Sequence, residues 1–210
     1  MVSKNDVFDI NISSYGSEGE GVCKIDGYTI FVPGAAAGDL AEIKVIKALK
    51  NYGYGKLIKI ISPSSDRCAP SCTAAGKCGG CSIMHLDYAA QLRFKRQKVA
   101  DALKRIGGIN IKVEDTVPSP HKVAYRNKIS LPVSFENEKI TAGFFAQGSH
   151  RIIPSDGCIL QMPFCKDIVA SVISYMKKND VTPYSEETGK GTIRHIFIRS
   201  GFHSGEIMVV

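Results

Sequence analysis

Long hydrophobic runs are missing from these 210 residues. No stretch approaches the roughly 18 consecutive apolar residues of a membrane span. Nothing at the start resembles a secretory signal, because "MVSKNDVFDINI" alternates polar and apolar residues with no continuous apolar core. The expected compartment is therefore the cytoplasm, with no membrane partner. Thiols stay reduced there, and clustered cysteines bind metal or do chemistry more often than they pair, which excludes a disulfide framework.

What is present is an ordinary globular composition, 44% hydrophobic, in a chain long enough for one large domain or two small ones. The net charge of +7 is unevenly placed. Residues 1–90 carry nine Lys/Arg and nine Asp/Glu, and residues 129–210 carry eight of each, whereas residues 91–128 carry ten basic against three acidic. The whole excess sits in one stretch and continues past a helix into "HKVAYRNK", which points to a polyanion and favours nucleic acid over a solvated helix face.

Residues 6–62 read as β-structure. "VFDINI" alternates, and "GVCKI" and "YTIFVP" flank Asp26-Gly27, a strong hairpin signal. "DLAEIKVIKAL" and "YGKLIKII" follow. Five short strands in under 60 residues predict a small closed barrel, which removes exposed sheet edges. "SPSSDRCAP" marks a boundary. A helix is predicted from the N-cap candidate Asp87, with Tyr88, Leu92, Val99, Leu103 and Ile106 in helical period, ending at Gly107-Gly108. Beyond "VPSP", "NKISLPVSF" and "KITAGFFA" predict strands around a turn from Glu136 to Lys139. "PFCKDIVASVISYMKK" predicts a helix with Ile168, Val172, Ile173 and Met176 inward, and "TIRHIFIRS" and "GEIMVV" a last hairpin across "GFHS". The chain stops within an apolar strand, so the expectation is the front part of something longer.

Cys72, Cys78 and Cys81 lie at spacings of five and two around Gly79-Gly80. A fourth ligand could come from Cys68 nearby or from Cys158 far along the chain. A tetrahedral zinc site from Cys68, Cys72, Cys78 and Cys81 would lack the paired two-residue knuckles usual in zinc ribbons. An iron-sulfur cubane tolerates irregular spacings and a remote ligand, and two glycines let backbone wrap a bulky cluster. Spacing leaves cluster, zinc and a purely structural role open.

"CTAAGKCGGCSIMHLDYAAQLRFKRQKVADALKRIGG" resembles the cluster-plus-helix signature of the RNA uracil-5-methyltransferases, and most of all the 23S ribosomal RNA (uracil-5-)-methyltransferases. "GEGVCKIDGYTIFVPGAAAGDLAEIKVIKALKNYGYGKLIKI" resembles their N-terminal TRAM barrel. "YRNKISLPV", "GFFAQGSHRIIPSDGCILQMP" and "GTIRHIFIRSGFHSGEIMVV" resemble their central domain. The implied fold is mostly β with α+β. It comprises an OB-like five-stranded TRAM barrel over 1–62, a cysteine-rich cluster loop over 63–86, and a basic helix with an α+β central RNA-recognition domain over 87–210. The resemblance implies a [4Fe-4S] cluster on Cys72, Cys78, Cys81 and Cys158, with Cys68 a bystander and His85 a packing neighbour. Family members continue into a Rossmann-like domain that binds S-adenosylmethionine and supplies a catalytic cysteine and base. That domain is expected to be absent from this chain, which would then hold no catalytic residue and be inactive alone. Cys23 and Cys165 match no such motif and read as small buried hydrophobes.

Several residues are candidates for RNA contact. Lys95, Arg96 and Lys98 suit backbone phosphate, a contact that positions RNA without reading its sequence. Arg126, Asn127 and Lys128 open a strand beside them, and Ser149, His150 and Arg151 follow a glycine turn. In the barrel, Tyr52, Tyr54 and Lys56 offer stacking and charge to a single strand. In a regular strand Arg194 and His195 cannot share an orientation. The expected whole is a monomer acting on 23S ribosomal RNA. The rival classes are a transfer-RNA-specific relative, against which the cysteines count, and a free-standing zinc or iron-sulfur RNA-binding module without catalysis.

Overall fold

The alternation over residues 6–62 becomes a six-stranded sheet in the computed structural model, which describes residues 2–136 and 138–210. Its strands are β1 (Val7–Asn11), β2 (Ser14–Tyr15), β3 (Gly21–Ile25), β4 (Tyr28–Val32), β5 (Leu40–Ala48) and β6 (Tyr52–Ser62), in the order β1-β5-β6-β4-β3-β2. All neighbours are antiparallel except β4 with β6. β1 and β2 are consecutive in the chain yet pair with opposite ends of the order. The Ile12 amide bonds to Asp39 on the β5 side and the Ser13 amide to Val22 of β3, at 2.9 and 2.8 Å, so one bent stretch closes the sheet on itself. At the predicted hairpin Ile25 faces Tyr28, and Asp26 and Gly27 both adopt positive φ, 49° and 83°. Ile12, Cys23, Ile30, Val32, Ile43 and Val45 fill the interior, each of the large ones stabilising by about 1.5–3 kcal/mol through burial.

Helix α1 (Tyr88–Arg105) starts where the sequence predicts: the Asp87 carboxylate accepts the Ala90 amide at 2.7 Å. It packs through its first turns. Ala90 is buried with Leu86 and Ala36, and Phe94 meets Tyr15 edge-on at 5.5 Å. Val99 and Ile106 share the apolar period but stay exposed, because the packing is concentrated near the N-terminal end.

A second sheet holds β7 (Lys128–Glu136), β8 (Lys139–Phe145), β9 (Ile152–Pro154), β10 (His195–Ser200) and β11 (Ile207–Val209), ordered β11-β10-β7-β8-β9 and antiparallel throughout. Helix α2 (Cys165–Lys178) covers one face. Ile129, Leu131, Val133, Ile196 and Ile198 meet Cys165, Met176 and the inward Ile168, Val172 and Ile173 there. The turn expected between Glu136 and Lys139 includes Asn137, which lies outside the described residues; Glu136 and Lys139 pair across it. The last hairpin forms as expected, with Ser200 facing Ile207.

The chain divides into two units, Met1–Pro70 with Ser82–Pro118 and Ser71–Cys81 with Ser119–Val210. The expected fold class is corrected accordingly. Instead of a five-stranded barrel followed by an α+β domain that begins at the basic helix, the protein is a two-sheet, mostly β fold. The first strand, single in the sequence pattern, is used twice by the bend at Ile12–Ser13. The basic helix belongs to the barrel's unit, because its capping turn packs on Ala36 and Tyr15. Among the described residues no helix is long and apolar enough to cross a membrane.

Candidate functional site

Cysteines come together in the second unit. The Cys72 and Ala74 carbonyls accept from Ala75, Lys77 and Cys78, which winds the loop into tight turns. Cys78 then pairs with Ala146 as an isolated bridge, and the Gly79 amide donates to the Phe145 carbonyl at 2.9 Å. A Cβ on Gly79 would stand 3.0 Å from that carbonyl, so glycine permits the close approach. The Gly80 amide points at Cys78 Sγ, 3.3 Å away. Cys158 closes a turn from Ser155, and a Cβ on its neighbour Gly157 would lie 3.3 Å from Thr73 Oγ1, beside Cys72. Residues 124 and 126 bond to the 159–160 carbonyls directly after Cys158, which brings Arg126 in.

Electrostatics record the same grouping. Burial pushes the Cys81 thiol up, Arg126 pulls it down, and Cys158, Cys78 and Cys72 push it up further. Four thiols therefore share one neighbourhood with the Arg126 guanidinium. Among the described residues no three His, Cys, Asp or Glu side chains converge around one ion. Four cysteine thiols are the donor chemistry that a [4Fe-4S] cubane takes. Cys68 lies in the first unit, its amide on the His85 carbonyl and its thiol 3.8 Å from the Met84 carbonyl. Cys23 and Cys165 are buried; burial pushes the Cys23 thiol up to about 11 and raises that of Cys165, as suits packing residues.

The basic helix is less free than its charge count implies. Arg96 donates to the Val113 carbonyl and to Asp115, both at 2.8 Å, and Arg93 meets Asp66 at 2.7 Å. Lys98 stands 4.0 Å from Glu18, and Lys95 is exposed. In the barrel Tyr52, Tyr54 and Phe31 form an aromatic trio with centroids 5.8–6.0 Å apart, and Lys56 is exposed on the same strand. In the second unit Asn127 and Lys128 are exposed. The Lys128 ammonium lies 5.9 Å from the Phe197 ring centroid. His150 stacks on Phe145 at 4.9 Å and meets Glu186 at 2.7 Å, which holds the Glu186 carboxyl below its usual range. Glu186 also takes Arg194 at 3.5 Å, while Arg151 and His195 are exposed. Sequence reasoning missed Phe31, Phe145 and Phe197, although strand alternation already places Phe31 and Phe197 opposite the core.

Comparison with known proteins gives these features a lineage. Residues 2–58 match the TRAM domain. The whole chain is similar to proteins named RNA methyltransferases, which it covers to less than half of their length. A Clostridium tetani protein named an uncharacterized RNA methyltransferase is 43% identical over 209 residues, 100% of this chain and 45% of the relative. A Listeria monocytogenes protein of the same description is 40% identical, covering 100% and 46%. The crystal structure of the Pyrococcus abyssi tRNA (uracil-54, C5)-methyltransferase with S-adenosyl-L-homocysteine is 28% identical, with a TM-score of 0.67, covering 95% of this chain and 44% of that one. The chain thus spans less than half the length of these relatives. The expectation that a Rossmann-like domain is absent is corrected: the comparisons do not show that absence, because they match this chain to only part of longer proteins.

Proposed function

We propose that this chain is the RNA-binding and iron-sulfur portion of an S-adenosylmethionine-dependent 23S ribosomal RNA uracil-5-methyltransferase. The observation that carries the reading is the grouping of Cys72, Cys78, Cys81 and Cys158 in a unit of a chain whose relatives are named RNA methyltransferases. Residues 1–62 are the RNA-binding barrel, 63–86 the cysteine segment, and 87–210 carry both the basic helix, which belongs to the barrel's unit, and the RNA-recognition region of the second unit. The four cysteines hold a [4Fe-4S] cluster whose contribution is structural, tying the 71–81 loop to the turn at Cys158. Lys95 and Lys98 meet phosphate, Arg126, Asn127 and Lys128 and the pair His150 and Arg151 meet RNA on the second unit, and Tyr54 and Lys56 meet it on the barrel. S-adenosylmethionine supplies the methyl group in the complete protein, and the setting is the cytoplasm, as a monomer.

The solved neighbour acts on transfer RNA by its name, so the substrate test separates the two RNAs. The full-length protein is incubated with S-adenosylmethionine carrying a labelled methyl group and either unmodified 23S ribosomal RNA or transfer RNA. Labelled 5-methyluridine in the ribosomal RNA supports the proposal. Label confined to transfer RNA moves the substrate, and label in neither overturns the activity.

A further inference from the structure

The second sheet presents unlike faces. One is apolar against α2. Alternation puts Lys128, Ser130, Pro132 and Ser134 of β7 and His195, Phe197 and Arg199 of β10 on the other. The register sets His195 beside Pro132, Phe197 beside Ser130, and Arg199 beside Lys128. Lys128, Ser130, His195 and Arg199 are exposed, so cations and rings interleave on an open surface. A cavity of about 710 Å³ on this surface is lined by Ser130, Phe145, His150 and His195, with Gly79 and Gly80 of the cysteine loop in its wall. A neighbouring cavity of about 350 Å³ shares Phe145, His150 and His195 and adds Tyr184 and Arg194. The Ser134 hydroxyl, in the wall of the smaller cavity, is buried without a hydrogen-bond partner.

We infer that this face binds a single-stranded segment of RNA, bases stacking on Phe197 and on the Phe145–His150 pair while phosphates meet Lys128 and Arg199. The inference rests on the RNA reading above and deepens it by naming the surface that takes unpaired bases. A duplex hides its base faces, so an aromatic platform serves only nucleotides splayed out of a helix. Lys128 and Arg199, on the strands beside Phe197, supply the charge for phosphates next to that ring, outside the cavity that Glu186 lines. Glu186 fixes the tilt of the His150 ring at 2.7 Å, leaving the stacked pair set before RNA arrives. The Gly79-Gly80 turn forms part of the wall, which gives the cysteine loop a second role beside holding its thiols.

The test is fluorescence anisotropy of the full-length protein with a labelled, uridine-rich single strand of ~12 nucleotides at fixed salt. Phe197→Leu keeps an apolar side chain and removes the ring; His195→Ala alters an exposed position and covers the case in which the first variant loses its fold. Kd is expected to rise about 5-fold or more for Phe197→Leu, in line with the loss of one stacked base. Photo-cross-linking of a 4-thiouridine strand should place adducts within 128–134, 145–150 or 195–199. Tight binding unchanged in both variants, with adducts confined to the barrel, overturns this face while leaving the RNA reading intact. Equal affinity for a blunt duplex overturns stacking in favour of phosphate contact alone. No RNA binding by the unsubstituted protein overturns the RNA reading, and the inference falls with it.

Discussion

Arg67 grips Asp39 through both carboxylate oxygens: Nε lies 2.8 Å from Oδ1 and 2.9 Å from Oδ2, and a terminal nitrogen 2.7 Å from Oδ2. Asp39 is fully buried and accepts the Ala36 and Ser64 amides as well, at 2.6 and 2.9 Å. Arg67 reaches on to the Gly34 carbonyl, so the pair ties the 34–39 loop to the segment leaving the barrel. Asp39→Asn strands the guanidinium without its counter-charge. The expected loss is about 3–5 kcal/mol, read as a lower urea midpoint at unchanged slope. A loss under about 1 kcal/mol would show that the pair is not holding the loop.

Acid should weaken the same corner. Burial alone would raise the Asp39 carboxyl, but Arg67 and the two amides outweigh it and leave it lower than usual. Burial, then the Arg67 charge, lowers the His85 imidazole from 6.5. In both cases the unfolded chain binds the proton more readily, so the stability is complete above the unfolded value and is lost as pH falls through the folded one. For His85 that loss begins below about pH 6.5 and for Asp39 below about pH 4. His85→Gln should flatten the fall in melting temperature between about pH 7 and 5. Parallel curves for variant and parent would remove His85 from the account.

Two cysteines at opposite ends of the ligand question can be compared directly. After anaerobic purification the parent should carry about four iron and four sulfide per chain. Cys158→Ser should lose most of that iron and lower the stability of the second unit, while Cys68→Ser keeps both. Unchanged iron in Cys158→Ser would remove Cys158 from the ligand set.

On helix α1 neighbouring cations should behave differently. Lys95→Ala should lower the salt dependence of RNA binding by about one phosphate contact. Arg96→Ala should instead speed protease cleavage near Val113–Asp115, where its guanidinium is engaged. Equal salt slopes for Lys95→Ala and the parent would take Lys95 out of the interface.

Local chemistry made much of this fold legible. Asp26-Gly27 carries its own turn geometry, Asp87 its own cap, and the alternation in "VFDINI" and "HIFIRS" its own inner face. The bend at Ile12–Ser13 was hidden, since no glycine or proline marks it. The Asp39–Arg67 pair, 28 residues apart, was equally hidden, because a charged residue reads as solvated until its partner is in place. Charge counting found the sign of the α1 surface but not the aspartates and the carbonyl that occupy Arg93 and Arg96. The cysteine grouping was read from resemblance, since spacing alone does not choose between Cys68 and Cys158.

The chain passes between its two units three times, after Pro70, after Cys81 and after Pro118. A single cut therefore leaves at most one unit whole. Cleavage between 82 and 118 parts the cysteine loop from the sheet it bonds to, and cleavage before 71 parts α1 from the barrel. Neither unit can be inherited, swapped or expressed without carrying a segment of the other, and a ribosome delivers the cysteine loop well before the strand at Phe145 that it bonds to.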